Sequence, residues 1–398
     1  LFAIWGWLCD FALNLIEPVV TKFFQKNPQP ANRPILGTLE IGRFIAASLV
    51  VMTHFFPDLP RFACAPAGAV LGNIHTPGAI AVQYFFVLSG FVMMTAHRRD
   101  FGRLASVPKF WWRRACRIYP MYWIGLGIIC YYLFGALTPV YALKLFLLQP
   151  AQVADFIGPA WSLHYEVAFY LMFGLCLLPY IGRPLLAAWV FSVVLCWAPA
   201  SFANLFPASL LDFLRWLSFA YAGHFLAPFE FYFFAGLLGG WVFACLPLRL
   251  GGSLGLLIVG LAVLADYVPA LRWGYSYGDP MTAPVTGLGF AAIIVGLANL
   301  ERLGWLRFGA TAQRLGAMSY PLYILHTPLI LVVDSSFGWL RLGTVGLNML
   351  AVAGFLALYL LIAIVTFALD QPLQRLLRHL SRREKNVSSG PASIEVSI

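Results

Sequence analysis

The chain has 398 residues, of which 61% are apolar and 11% charged, with a formal net charge of +10. A soluble domain carries about 25% charged residues, so this composition excludes a water-soluble globule and predicts a polytopic membrane protein. The positive charge alone does not point to nucleic acid, because basic residues collect in the cytoplasmic loops of membrane proteins.

Residues 1–34 open the chain with an apolar stretch interrupted by Asp10, Glu17 and Pro18. Leu1, Trp5, Leu8, Phe11 and Leu15 fall on one helical stripe, which predicts an interfacial amphipathic segment rather than a span. No basic stretch precedes it, so a secretory signal is not expected. Ten apolar runs follow, at 35–56, 79–96, 118–136, 161–180, 184–203, 228–246, 252–269, 284–300, 317–336 and 345–369. The predicted fold is all-α: about ten transmembrane helices bundled around a central pore, forming one domain over residues 35–370. Residues 371–398 read as a basic, disordered cytoplasmic tail.

Threading ten spans with the amino end inside places twenty Lys and Arg on one side and five on the other, with Arg43 inside the first span. That asymmetry predicts that both termini are cytoplasmic and that the protein sits in the cell membrane, the inner membrane if the cell is bacterial. It also accounts for the net charge without nucleic acid. Of the seven cysteines only Cys64 falls in an outer loop, so no disulfide framework is expected, and no spacing suggests a metal site.

Within the first span, GRFIAASLVVMTH sets Arg43 and His54 eleven residues apart. Eleven steps of about 100° return both side chains to one face, about 16 Å apart along the axis. An ionisable group in a membrane helix is by default a sign of a functional cavity, and here one end suits an anion and the other a base. The bland alternative is that Arg43 snorkels or pairs with Glu40, while His54 satisfies a carbonyl at the interface. Asp58, at i+4 from His54, could orient the ring, but Pro57 is expected to end the helix first.

Further along, YFFVLSGFVMMTAHRR offers Ser89 beside Gly90, a small pair that permits close helix approach. FWWRRACRIYP then gathers Arg113, Arg114 and Arg117 beside Trp111 and Trp112, a grip for phosphates with rings able to stack on a base. A positive-inside cluster would have the same composition. PAWSLHYEVAFY places Trp161, His164 and Glu166 toward the outer end of the fourth span, where Trp161, Tyr165 and Tyr170 could equally be belt aromatics. In MSYPLYILHTPLI, Pro321 and Pro328 bend the ninth span, and His326 could satisfy a backbone group they free.

In this order the motifs resemble the acyltransferase-3 family of integral membrane acyltransferases. The carriers are Arg43 and His54 in LEIGRFIAASLVVMTH, then FFVLSGF, RRACRIYP, WSLHYE and SYPLYILH, over residues 35 to 370. The resemblance implies transfer of an acyl group, usually acetyl from acetyl-coenzyme A on the cytoplasmic side, to a hydroxyl of an extracytoplasmic glycan. It implies His54 as the catalytic residue and Arg43 along the donor channel, with Arg113, Arg114 and Arg117 holding the coenzyme. Beside that reading, Ser89 is placed with the donor, Glu166 is expected to orient His54 or to bind the acceptor, and His164 and Trp161 are expected to meet the acceptor. Membrane lipid is the other partner, with no metal and no nucleic acid. The rival from another class is a transporter or exporter of a sugar or lipid-linked sugar. It would share the spans and the buried charge, yet it gives no reason for arginines at one mouth, and no paired repeat is evident.

Overall fold

The computed structural model of the chain describes residues 36–62, 78–133, 139–148, 157–197, 206–207, 209–213, 223–271, 279–337 and 344–377. Among these residues the regular structure is helical, with no strand. The helices are α1 (Gly37–Phe62), α2 (Gly78–His97), α3 (Ser106–Leu133), α4 (Pro139–Phe146), α5 (Ala160–Cys176), α6 (Gly182–Trp197), α7 (Glu230–Cys245), α8 (Leu250–Leu271), α9 (Ala283–Arg302), α10 (Ala310–Phe337) and α11 (Thr344–Val365). A π-helical turn, Thr366–Asp370, continues α11, and helix resumes to residue 377.

Each of the ten expected apolar runs carries one of these helices, α4 being the addition. Among the described residues six helices are long and apolar enough to cross a membrane, while α6 and α7 are apolar but only 16 residues long. At ~1.5 Å per residue such a helix falls short of a ~30 Å hydrocarbon core, so the span count is approximate. Helix is the local solution throughout because lipid offers no partner for backbone N–H and C=O groups. The proposed interfacial segment 1–34 and residues 378–398 lie outside the described residues, whereas residues 371–377, expected to open a disordered tail, are helical.

Boundaries differ from expectation: α3 begins at Ser106 rather than near residue 118, and α10 at Ala310 rather than near residue 317. Helix α1 does not stop before Pro57 but runs to Phe62. A proline removes a single backbone donor, and helices in membranes tolerate it where neighbours support the freed groups.

Lipid-facing and core-facing residues separate by exposure. Ile258 and Leu261 on α8 are well exposed, as are Val345, Met349 and Ile364 on α11. The interior is aromatic: Phe169 on α5 stacks on Phe233 of α7 with centroids 4.2 Å apart, and Phe86 of α2 stands 4.7 Å from the same ring. Helices α2 and α7 meet backbone to backbone. A Cβ at Gly90 would collide with the carbonyl oxygen of Phe233, and one at Gly236 with that of Val87. Only glycine allows this approach.

The start of α1 is held by another helix. Its first N–H groups have no partner within the helix, and Glu301 at the end of α9 supplies one. Its Oε1 accepts from the Gly37 amide at 2.8 Å, and its Oε2 accepts from the Thr38 amide at 2.9 Å and the Thr38 hydroxyl at 2.8 Å. A carboxylate there is also favoured by the helix dipole. The anchor lies five residues before Arg43 and fixes the direction in which that side chain leaves the helix.

Candidate active site

Helices α1, α2, α3, α5 and α10, with the helix that follows the π turn, enclose a cavity of about 360 Å3. Arg43 reaches it from α1, Ser89 from α2, Arg113, Arg114 and Arg117 from α3, and Ser162 and Glu166 from α5. Tyr320 and Tyr323 of α10 and Gln374 complete its polar wall. Four guanidinium groups face one carboxylate, so the space is strongly cationic.

Each arginine is held differently. Arg43 pairs with Glu40 one turn earlier on α1, and Glu40 in turn lies against Gly316 of α10, where a Cβ would displace its carboxylate. The Arg114 guanidinium sits over the rings of Phe110 and Tyr170, 5.6 and 5.3 Å from their centroids. Arg113 is exposed at the mouth. The Nε atoms of Arg43 and Arg114 are buried and have no hydrogen-bond partner. A buried donor left so is costly, and both atoms fit a ligand rich in acceptor oxygens.

At the carboxylate, Ser89 Oγ donates to Glu166 Oε1 at 2.8 Å, the Tyr170 hydroxyl donates to the same oxygen, and Ser89 and Tyr170 lie 3.0 Å apart. Tyr170 is therefore a buried member of the site rather than a belt aromatic. Nearer the other end of α5, Ser162 Oγ and the Tyr323 hydroxyl are 2.6 Å apart.

The family of acyltransferase domains matches residues 36–370. The chain belongs to the acyltransferase-3 family. As such it is a multi-pass membrane acyltransferase. It is 30% identical over 389 residues to Acyltransferase MdmB of Streptomyces mycarofaciens, covering 88% of this chain and 94% of that relative. It is 27% identical over 279 residues to Exopolysaccharide production protein ExoZ of Rhizobium meliloti (strain 1021), covering 66% of this chain and 80% of that relative. No solved structure matches.

In this acyltransferase Arg43, Ser89, Arg113, Arg114, Arg117 and Glu166 share one cavity, although they come from four helices. His54 is not among the residues that line it. Its ring packs against His326 of α10, with centroids 5.4 Å apart. His326 does bond a carbonyl, that of Leu322, but not one of the two that Pro321 and Pro328 free, which belong to residues 317 and 324. The carboxylate of Glu166 meets Ser89 and Tyr170. The side chain of Asp58 lies outside the described residues.

The predicted acceptor residues divide by helical phase. Positions 162, 163, 166 and 170 of α5 turn to the cavity, whereas 161, 164 and 165 turn away, as a ~100° step requires. Trp161 packs on Phe229 at 5.5 Å, and Tyr165 on Phe229 and His224, both at 4.6 Å. His164 faces His224 at 5.8 Å, and burial lowers the imidazole of His224, in the turn before α7, below its usual range. The two adjacent tryptophans of α3 divide likewise: Trp112 lines the cavity, but Trp111 points inward and its Nε1 donates to the Tyr170 carbonyl at 3.1 Å.

Sequence reasoning missed Tyr323, Tyr320, Ser319 and Gln374. Their neighbourhood in SYPLYILH was the available signal for the first three. For Gln374 there was none, since it depends on the π turn, where its amide donates to buried Asp370 at 2.9 and 3.0 Å. Among the described residues no group of three His, Cys, Asp or Glu could hold a metal ion.

Proposed function

We propose that this acyltransferase moves an acetyl or similarly short acyl group from acyl-coenzyme A, entering from the cytoplasmic side, to a hydroxyl of a cell-envelope or exported glycan. The observation that carries the donor assignment is the cavity itself: four arginines and the exposed face of Trp112 converge on a volume at the small end of ligand pockets. That shape suits a slender thioester arm, with the phosphates and the base left at the mouth among Arg113, Arg117 and Trp112. The names of the two relatives, an acyltransferase and an exopolysaccharide production protein, support transfer to a glycan.

In this reading Arg113 and Arg117 grip the donor phosphates, while Arg43 and Arg114 offer their unpartnered Nε–H groups to oxygens deeper in the cavity. His54 is the general base, and it takes the proton of the acceptor hydroxyl as oxygen attacks the acyl carbon and the thiolate leaves. A base poised near the working pH contributes ~10²- to 10⁴-fold. Glu166, held by Ser89 and Tyr170, is the acceptor for a hydroxyl of the incoming sugar. A Ser-His-acid arrangement that would support an acyl-serine on Ser89 or Ser162 is not evident, since Ser89 donates to Glu166 and Ser162 pairs with Tyr323.

The test is free-thiol release by the purified full chain, given acetyl-coenzyme A and chemically de-O-acylated polysaccharide from the producing cell. Thiol should appear only when both are present, and His54→Ala should abolish it while the protein still elutes as one species. Undiminished release by that variant would remove His54 from the chemistry.

A further inference from the structure

The proposed mechanism leaves a fully buried imidazole beside His54 unused. His326 has no exposed surface. Its Nδ1 lies 3.1 Å from the Leu322 carbonyl, one turn earlier on α10. A carbonyl oxygen has only lone pairs to offer, so this bond places the proton of the neutral ring on Nδ1 and leaves Nε2 as an acceptor. Nε2 is buried and has no hydrogen-bond partner. An apolar side chain would fill the same space without that cost.

Among the described residues two rings neighbour His326. Tyr323 is the more distant, with ring centroids 6.5 Å apart, and its hydroxyl already meets Ser162 at 2.6 Å and the Pro159 carbonyl at 3.1 Å. His54 is nearer, at 5.4 Å, with ring planes 32° apart. Two imidazoles joined by one N–H···N bond of about 2.9 Å have centroids about 5 Å apart. A small ring movement therefore brings an N–H of His54 to the waiting lone pair.

We propose that His326 is a positioning residue for His54, its Nε2 accepting the N–H of the His54 nitrogen that does not face the acceptor hydroxyl. This rests on the acyl-transfer reading. As the hydroxyl oxygen bonds to the acyl carbon and the carbon–sulfur bond breaks, the hydroxyl proton passes to the other nitrogen of His54. The imidazolium so formed keeps its second N–H on His326, which stays neutral with its own proton on the Leu322 carbonyl. The proton taken up then passes to the departing thiolate. His326 thus fills the orienting role that a carboxylate has in a catalytic triad, without the cost of burying a negative charge among hydrocarbon side chains.

The experiment compares kcat and KM of the full chain in detergent for His326→Asn and His326→Gln, with acetyl-coenzyme A and the de-O-acylated polysaccharide. The asparagine amide reaches only as far as Nδ1, so it keeps the Leu322 bond but has no acceptor at the Nε2 position. The glutamine amide oxygen reaches that position. The expected result is a loss of about 10- to 100-fold in kcat for His326→Asn, the rate equivalent of one hydrogen bond to a charged group. KM for the coenzyme should stay within about twofold, and His326→Gln should stand about tenfold above the asparagine variant. Wild-type kcat in His326→Asn, or a glutamine variant no better than the asparagine one, overturns the proposal while leaving the acyl-transfer reading intact. Wild-type protein that shows no coenzyme-dependent turnover removes that reading, and this inference with it.

Discussion

Arg43 shows how a charge is kept usefully inside this protein. The guanidinium carries five donors; its terminal group pairs with Glu40, while Nε is buried without a partner. Glu40 offsets the cost of burying the cation, and the remaining donors are left for a ligand. The side chains are 19% and 13% exposed, so neither charge is well solvated by itself. Arg43→Ala should therefore do two separable things. It should abolish transfer, and it should lower stability by on the order of 3 kcal/mol, because removing one member of a buried pair strands the other. Adding Glu40→Gln removes the stranded charge, so the double variant should regain most of the lost Tm in detergent and remain inactive. A double variant with wild-type turnover would show that Arg43 serves the fold alone, and an unchanged Tm in the single variant would show that the pair is too wet to matter.

Among the elements, the contact between α2 and α7 governs the site, because Ser89 adjoins the glycine on which the two helices touch. Gly90→Ala places a methyl against the Phe233 carbonyl, and Gly236→Ala places one against that of Val87. Neither obstacle is a side chain that can swing aside. Each substitution should cost about 1–3 kcal/mol, the usual penalty of overpacking. Since either one forces the same separation, the pair should cost less than the sum, measurable as a sub-additive Tm loss. Moving α2 also draws Ser89 from Glu166, so activity should fall further than stability alone explains. The small pair at 89 and 90 was legible in the sequence, as were the approximate positions of ten of the described helices, because apolar runs bounded by charge or proline have few other solutions in lipid. What could not be read was facing. Helices as uniformly apolar as α2 and α5 give no stripe from which to tell cavity from packing, so Trp161 and His164 were grouped with Glu166 although a helical step separates them. The π turn that delivers Gln374, and the passage of α1 through Pro57, leave no local signature in the sequence.

For the whole molecule the question is which side the donor reaches. The loop after α2 and the turn after α5 are joined by the Gly102 amide donating to the Leu177 carbonyl at 3.0 Å, so Arg98, Arg99, Arg103 and Arg183 gather on the same end as the exposed Arg113. The counts of basic residues favour this end as cytoplasmic, and the arginine mouth of the cavity would then open to the compartment that holds acyl-coenzyme A. Two exposed positions test the orientation: Tyr180, 97% exposed at the arginine end, and Met281, 62% exposed before α9 at the other. In a chain whose natural cysteines are replaced, Met281→Cys should react with a membrane-impermeant maleimide on intact cells, whereas Tyr180→Cys should react only after lysis. The converse labelling would place the arginines outside and deny them a coenzyme-bound donor. Sealed vesicles carry the argument to function. Inside-out vesicles given acetyl-coenzyme A externally should transfer acyl groups to enclosed glycan, and right-side-out vesicles should not, because a polyanionic donor does not cross the bilayer and must enter where the four guanidinium groups wait.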